Sequence, residues 1–193
     1  KLSEKIEVIL FLSDTEIDRA KLPFLSNKIK VEMYKAYNLY NLANFYEMLE
    51  VGNRIKRHKP DLVHIQSHGN FWFFVAFIIL RSYKIVNTIH DVTPHPGEKS
   101  IFKYKLMSQI GSYFSNKFIV HGDFLKEKLV KKFNINRDNV TKIMHGNYSI
   151  YKNYSQTISK REKNTILFFG RLWQYKGLRY LLESIPFIQK EIN

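Results

Sequence analysis

Short runs of β-branched and other apolar residues recur along the chain, at Ile6 to Leu12, Ile29 to Tyr34, Leu62 to Gln66, Ile85 to His90, Lys117 to His121, Val140 to His145 and Thr165 to Phe169. Each has the length of a strand, and most are separated by stretches long enough for a helix. Helical spacing is explicit in Leu42, Phe45, Tyr46, Leu49 and Asn53, and again in Phe124, Leu125, Leu129 and Phe133 behind Asp123 as a candidate cap. The unbroken apolar run Phe71 to Leu80 is about half of the ~20 residues that span a bilayer, so it predicts a buried helix. Strand alternating with helix predicts a parallel sheet covered on both faces, because parallel neighbours need crossover connections. The fold class is α/β, doubly wound. Ligands are then expected in the crevice beyond the carboxyl ends of the strands.

Residues 147–164 break this rhythm. They are rich in Tyr, Asn, Ser and Lys and carry no apolar period, so they read as a linker. The strand and helix pattern restarts at Thr165, which divides the chain into a first domain over 1–146 and the beginning of a second over 165–193. The opening Lys1-Leu2-Ser3-Glu4-Lys5 is no signal peptide, and Leu178 to Asn193 is helical in pattern with neither a Gly cap nor a closing strand. The expectation is a fragment. Hydrophobic residues at 45% and aromatics at 15% supply a core and exclude a disordered polycation. The absence of cysteine excludes a disulfide framework, a thiolate zinc site and a cysteine nucleophile, and fits a reducing compartment.

The most informative stretch is Thr165 to Leu178, a strand, a loop with Gly170 and Gly177 at its ends, and a helix. Gly170 lets the backbone turn and approach a ligand, and Gly177 opens a helix whose unpaired N–H groups favour an anion. Arg171 can clamp phosphate oxygens in a fork, and Lys176 adds a point charge. Together they describe a diphosphate cradle; an ordinary loop with two solvated cations is the alternative. A second candidate is His90-Asp91 at the end of a strand, on a loop stiffened by Pro94 and Pro96 that also carries His95. The histidine can donate to a sugar or phosphate oxygen and the carboxylate can accept from hydroxyls, against a packed His beside a capping Asp. His64 alternates with Val63 and Ile65 and is read as a core imidazole, with crevice lining as the other option. His68-Gly69, His121-Gly122 and His145-Gly146 each follow a strand, where glycine permits a close approach or merely a turn. Without cysteine or a helical histidine pair, no metal site is expected.

Pro60 to Ile65, Thr88 to Asp91, Phe118 to His121, Lys142 to Tyr148 and Phe169 to Leu172 through Lys176-Gly177 together resemble the group 1 glycosyltransferases, glycosyltransferase family 4, in that family's order and over most of the chain. The resemblance implies the GT-B fold: two Rossmann-like domains, the first holding mainly the acceptor and the second mainly a nucleotide-sugar donor. It assigns Arg171 and Lys176, with Gly170 and Gly177, to the donor diphosphate. It makes His90 the crevice histidine near the transferred sugar and Gly146 the glycine that enters the linker; with their neighbours taken from position alone, His90 and Asp91 are the catalytic candidates, and His68, Gly69, His95, His145 and Gly146 the acceptor or crevice candidates. His145 stands where the family usually has Asn. Transfer with retention, without metal or other cofactor, is implied. The resemblance also puts the first strand upstream of Lys1 and the family's paired glutamates beyond Asn193, so Glu183 and Glu191 are read as solvent-facing helix residues.

The excess of 31 Lys and Arg over 17 Asp and Glu leaves a formal charge of +14. Lys128, Lys131 and Lys132 share a helical face, and Lys103 and Lys105 add to another helix. A solvated face is the plain reading. Docking on an anionic membrane is the sharper one, which would make the protein cytoplasmic and peripheral on the inner face of the membrane. Nothing beyond charge suggests nucleic acid, and none is expected as a partner. The competing functions are a nucleotide-sugar 2-epimerase of the same architecture and a non-catalytic nucleotide- or carbohydrate-binding protein.

Overall fold

The computed structural model describes residues 2–20, 22–38, 41–66, 71–94, 101–146, 164–170 and 172–191. The chain divides into two compact units, Lys1–Val92 with Phe102–Ile143, and Thr93–Ile101 with Met144–Asn193. In the first unit β1 (Val8–Ser13) pairs in parallel with β2 (Ile29–Tyr34), Val8 opposite Ile29 and Ser13 opposite Tyr34. Between them lie a four-residue helix, α1 (Glu16–Arg19), and a 3-10 turn at Leu22–Phe24. No apolar period announces these short pieces. α1 forms because Thr15 caps it, its hydroxyl accepting from the Asp18 N–H at 3.2 Å.

After α2 (Ala43–Arg57), four strands form a second parallel sheet: β3 (Val63–Ile65), β4 (Ile85–Thr88), β5 (Lys117–Val120) and β6 (Val140–Lys142), in the order β3-β4-β5-β6. α3 (Phe73–Leu80), α4 (Ile101–Phe114) and α5 (Asp123–Phe133) lie in the crossovers. The expected α/β class with parallel strands is present. The alternation of strand and helix predicts one sheet, but β1 and β2 form a sheet of their own. The apolar period marks which segments are strands; it carries no information about which become neighbours. The ladders also stop short of the apolar runs, at Thr88, Val120 and Lys142, and leave His90, His121 and His145 beyond them.

Three clusters make the core of this unit. Met48, Val51 and Val75 join α2 to α3 and to Phe11 and Tyr34 of the first sheet. Ile65, Ala76, Phe77, Leu80 and Ile85 tie α3 to β3 and β4, and Ile89, Val92, Phe118, Val120, Leu129 and Val140 seat α5 on the sheet. α3 is apolar on all sides, as a helix packed from several directions must be, although Ile78 remains 48% exposed. Among the described residues no helix is long and apolar enough to cross a membrane. The N-cap of α5 is Gly122 in an extended conformation, not Asp123. Asp123 is instead the first helical residue, where the helix dipole favours a carboxylate, and it accepts from Lys142 Nζ at 2.6 Å.

A charged knot fastens β2 to the end of α2. Glu32 accepts from Arg54 Nε at 3.0 Å and Nη2 at 2.6 Å, and its second oxygen lies 2.5 Å from His58 Nε2. Burial alone would raise the Glu32 pKa, but the hydrogen bonds from Arg54 and His58 and their charges outweigh it, and the net shift is downward. A carboxylate with a depressed folded pKa contributes stability above its unfolded pKa and loses it as pH falls through the folded value. Resistance to urea is therefore expected to weaken on acidification from about pH 5 to about pH 3, from the unfolded pKa of about 4.3 downward. Glu32→Gln should remove that part of the pH slope. At neutral pH it should cost about 2 kcal/mol, a value discounted because the pair keeps some solvent contact. An unchanged slope in the variant would refute the assignment.

The second unit contains a 3-10 turn at Gln174–Lys176 followed by α6 (Leu178–Glu191). Thr165–Phe169 forms no ladder, contrary to the strand expected there. A strand exists only beside another strand, and the described residues of this unit contain no second one. Leu167 and Phe169 are accordingly exposed. Glu183 and Glu191 are exposed, as read from the sequence, and Glu183 pairs with Arg179 one helical turn away at 2.6 Å.

Candidate functional site

The carboxyl ends of β3, β4, β5 and β6 bring together Gln66, His90, His121 and Ile143. Beyond β4 the chain alternates: Ile89 and Val92 are buried in the α5 cluster, and the pair between them, His90-Asp91, is exposed. Buried anchors on either side thus hold two polar residues at the crevice. His90 Nε2 donates to the Gln66 carbonyl at 3.1 Å. The His90 ring lies 5.0 Å from that of His121, tilted by 33°. His121 Nδ1 donates to the Ile143 carbonyl at 2.9 Å, so each ring is oriented by a backbone acceptor.

His64 is not a core residue. Val63 and Ile65 turn inward, and the alternation of the strand sends His64 to the other, exposed face. Its Nε2 lies 2.8 Å from Thr88 Oγ1 and 3.3 Å from the Gln66 side-chain amide nitrogen. Partial burial lowers the His64 pKa and favours its neutral form. Thr88 and Gln66 were not signalled by the sequence: a Thr inside a strand and a Gln at its end look like ordinary β-former and surface polar. The one available cue was the coincidence of polar residues at the ends of adjacent strands.

Among the other candidates, His68, Gly69, His95 and Arg171 lie outside the described residues, as do the linker 147–163 and the side chain of Lys103. His145 and Gly146 are exposed in the second unit, just after its boundary with the first. In that unit Gly170 has φ +132° and Gly177 φ +75°, conformations that residues with a Cβ rarely adopt. Gly177 ends the 3-10 turn through its N–H on the Gln174 carbonyl at 3.2 Å, and its own carbonyl accepts from Tyr180 and Leu181 N–H at the start of α6. The exposed Lys176 ammonium stands 5.2 Å from the centre of the Tyr175 ring. This is a glycine-bounded loop that turns into a helix with a cation at the turn.

Residues 3–146 match the family described as Glycosyltransferase Family 4. No curated protein matches the sequence. Among solved structures, Anabaena Alr3699/HepE in complex with UDP and glucose is similar over 72% of this chain and 36% of its own, at 14% identity and a TM-score of 0.53. An S. aureus MnaA–UDP co-structure is similar over 81% of this chain and 48% of its own, at 12% identity and a TM-score of 0.52. The chain thus spans less than half the length of either. At these identities the likeness concerns the fold, which is of the GT-B type.

Proposed function

Because the chain belongs to glycosyltransferase family 4, we propose that the protein transfers a sugar from a nucleotide-sugar donor to a glycan or lipid-linked acceptor in polysaccharide or glycoconjugate synthesis, with retention and without a resident metal. The family match over residues 3–146 carries the proposal. In it, His90 and Asp91 face the transferred sugar, and the loop Gly170 to Gly177 with Arg171 and Lys176 holds the diphosphate. Positive charge aimed at the leaving diphosphate is the chemical contribution expected of that loop, since charge accumulates there as the glycosidic bond breaks. The two similar structures were solved with UDP, which makes a UDP-sugar the first donor to test.

The acceptor reading extends to a membrane on the cytoplasmic side. Lys105 of α4 and Lys128 and Lys132 of α5 lie close enough that, after burial, the first two are what lowers the Lys132 pKa. Phe102 and Phe124, 77% and 74% exposed, belong to the same two helices. The acidic residues of α5 are engaged on its other flank, Asp123 by Lys142 and Glu127 by Arg137. Cations with exposed aromatics suit an anionic lipid surface, at about 1 kcal/mol per basic residue near it. Incubating the full-length polypeptide with radiolabelled UDP-sugar and lipid acceptor in vesicles tests both parts. Labelled lipid is expected, and more of it on anionic than on neutral vesicles. An epimerised free sugar without any acceptor product would overturn the transferase reading, and equal rates on both vesicles would overturn the membrane part.

A further inference from the structure

Gln66 is the first residue beyond the β3–β4 ladder, which ends at Ile65 opposite Asn87, so the sheet does not set the orientation of its peptide. Two contacts do. Its side-chain amide reaches back to His64 Nε2 at 3.3 Å, and its main-chain carbonyl accepts from His90 Nε2 at 3.1 Å. His64 is itself held by the hydroxyl of Thr88 at 2.8 Å, and Thr88 is only 3% exposed on β4. An amide nitrogen can only donate, so His64 Nε2 presents its lone pair and the ring carries its proton on Nδ1. A carbonyl can only accept, so His90 Nε2 carries a proton. Two neighbouring histidines are thereby held in opposite tautomers through one residue.

We propose that His64 and Gln66 are positioning residues for His90: the bond between their side chains orients the Gln66 carbonyl, and that carbonyl fixes the His90 ring with its proton on Nε2. The proposal deepens the reading of His90 as a crevice histidine of a glycosyltransferase and rests on it for its purpose. Its test is made on the ring itself, so it stands or falls separately from activity.

The measurement is ring nitrogen and proton NMR of the full-length polypeptide labelled with 15N-histidine, at a pH where the histidines are neutral. His64 is expected in the Nδ1–H form, which is the minor form of free histidine, and His90 in the Nε2–H form with a slowly exchanging proton. Gln66→Ala, a substitution at an exposed position, should speed exchange of the His90 Nε2 proton at least tenfold. The His121 Nδ1 proton, held by the Ile143 carbonyl, should keep its exchange rate, while the His121 ring signals move with those of the ring 5.0 Å away. Gln66→Glu keeps a bond to His64 but reverses its direction, because a carboxylate only accepts. His64 should then carry a proton on Nε2, while His90 recovers its slow exchange. His64→Leu should reproduce the Gln66→Ala pattern at His90. An unaltered exchange rate of the His90 Nε2 proton in Gln66→Ala and His64→Leu would overturn the proposal, and so would exchange of the His121 Nδ1 proton speeding up in step with it, which would mean a general loosening of the sheet end. Loss of sugar transfer with an intact tautomer pattern would count against the functional reading alone.

Discussion

Alanine in place of Arg171 is expected to lower kcat/KM for the nucleotide-sugar donor by roughly 100- to 1,000-fold in the full-length enzyme, the range seen when one preorganised donor to a developing anion is removed. The proposed role places the guanidinium on the diphosphate, whose negative charge grows as the sugar leaves. Its planar fork can meet two oxygens at once, and each charge-assisted hydrogen bond contributes about 1.5–3 kcal/mol. The frame that would present it is visible on both sides: Gly170 at φ +132° before it, and Lys176 and Gly177 at φ +75° leading into α6 after it. Arg171→Lys should recover only part of the loss, since it keeps the charge and gives up the fork. Arg179→Ala is the internal control, because that guanidinium is already paired with Glu183 on the exposed side of α6. Initial rates over a range of donor concentrations separate kcat from KM. An Arg171→Ala enzyme within twofold of the parent would remove the cradle assignment.

The residues show which physics was legible beforehand. The strands β2 to β6 begin where the short apolar runs begin, or one residue later, because short runs rich in β-branched residues favour a pleated, half-buried surface, while helical spacing finds α2 and α5 and the greater length of its run finds α3. Where those strands end was less legible. A ladder stops when its neighbour diverges, so Ile89 and His90 extend the apolar run beyond β4 without belonging to it. Partnership is similarly invisible to a local pattern. The separate pairing of β1 with β2, the lack of a ladder at Thr165–Phe169 among the described residues, and the move of Asp123 from cap to ion pair with Lys142 all depend on residues distant in sequence. His64 is the instructive case. Its alternation with two inward-facing residues was plain, and it argues for the outer face; what could not be read was that Thr88 and Gln66 would meet it there.

Truncating Phe77 to alanine is expected to destabilise the first unit by about 3–5 kcal/mol, the range for deleting a buried aromatic ring. The side chain is 0% exposed, sits mid-helix in α3, and packs in the cluster with Ile65, Leu80 and Ile85 that joins the helix to β3 and β4. Two ring contacts add to the loss: Phe73 edge-on at 5.6 Å and Phe114 of α4 stacked at 6.0 Å. The cavity left behind has α3, the sheet and α4 on its sides, all tied into the same cluster, so little can collapse to fill it. Against a typical total of about 5–15 kcal/mol, such a loss brings the unit near its unfolding threshold. The same two strands lead into Gln66 and His90, so a loosened core should also speed exchange of the His90 ring proton before global unfolding. Urea titration of Phe77→Ala and Phe77→Leu checks the magnitude, with the leucine variant expected to lose clearly less because it refills part of the space. Tyr113→Ala, at a position 83% exposed on α4, should stay within about 0.5 kcal/mol of the parent. A Phe77→Ala loss no larger than that of Tyr113→Ala would mean that α3 is not the packed centre of this unit.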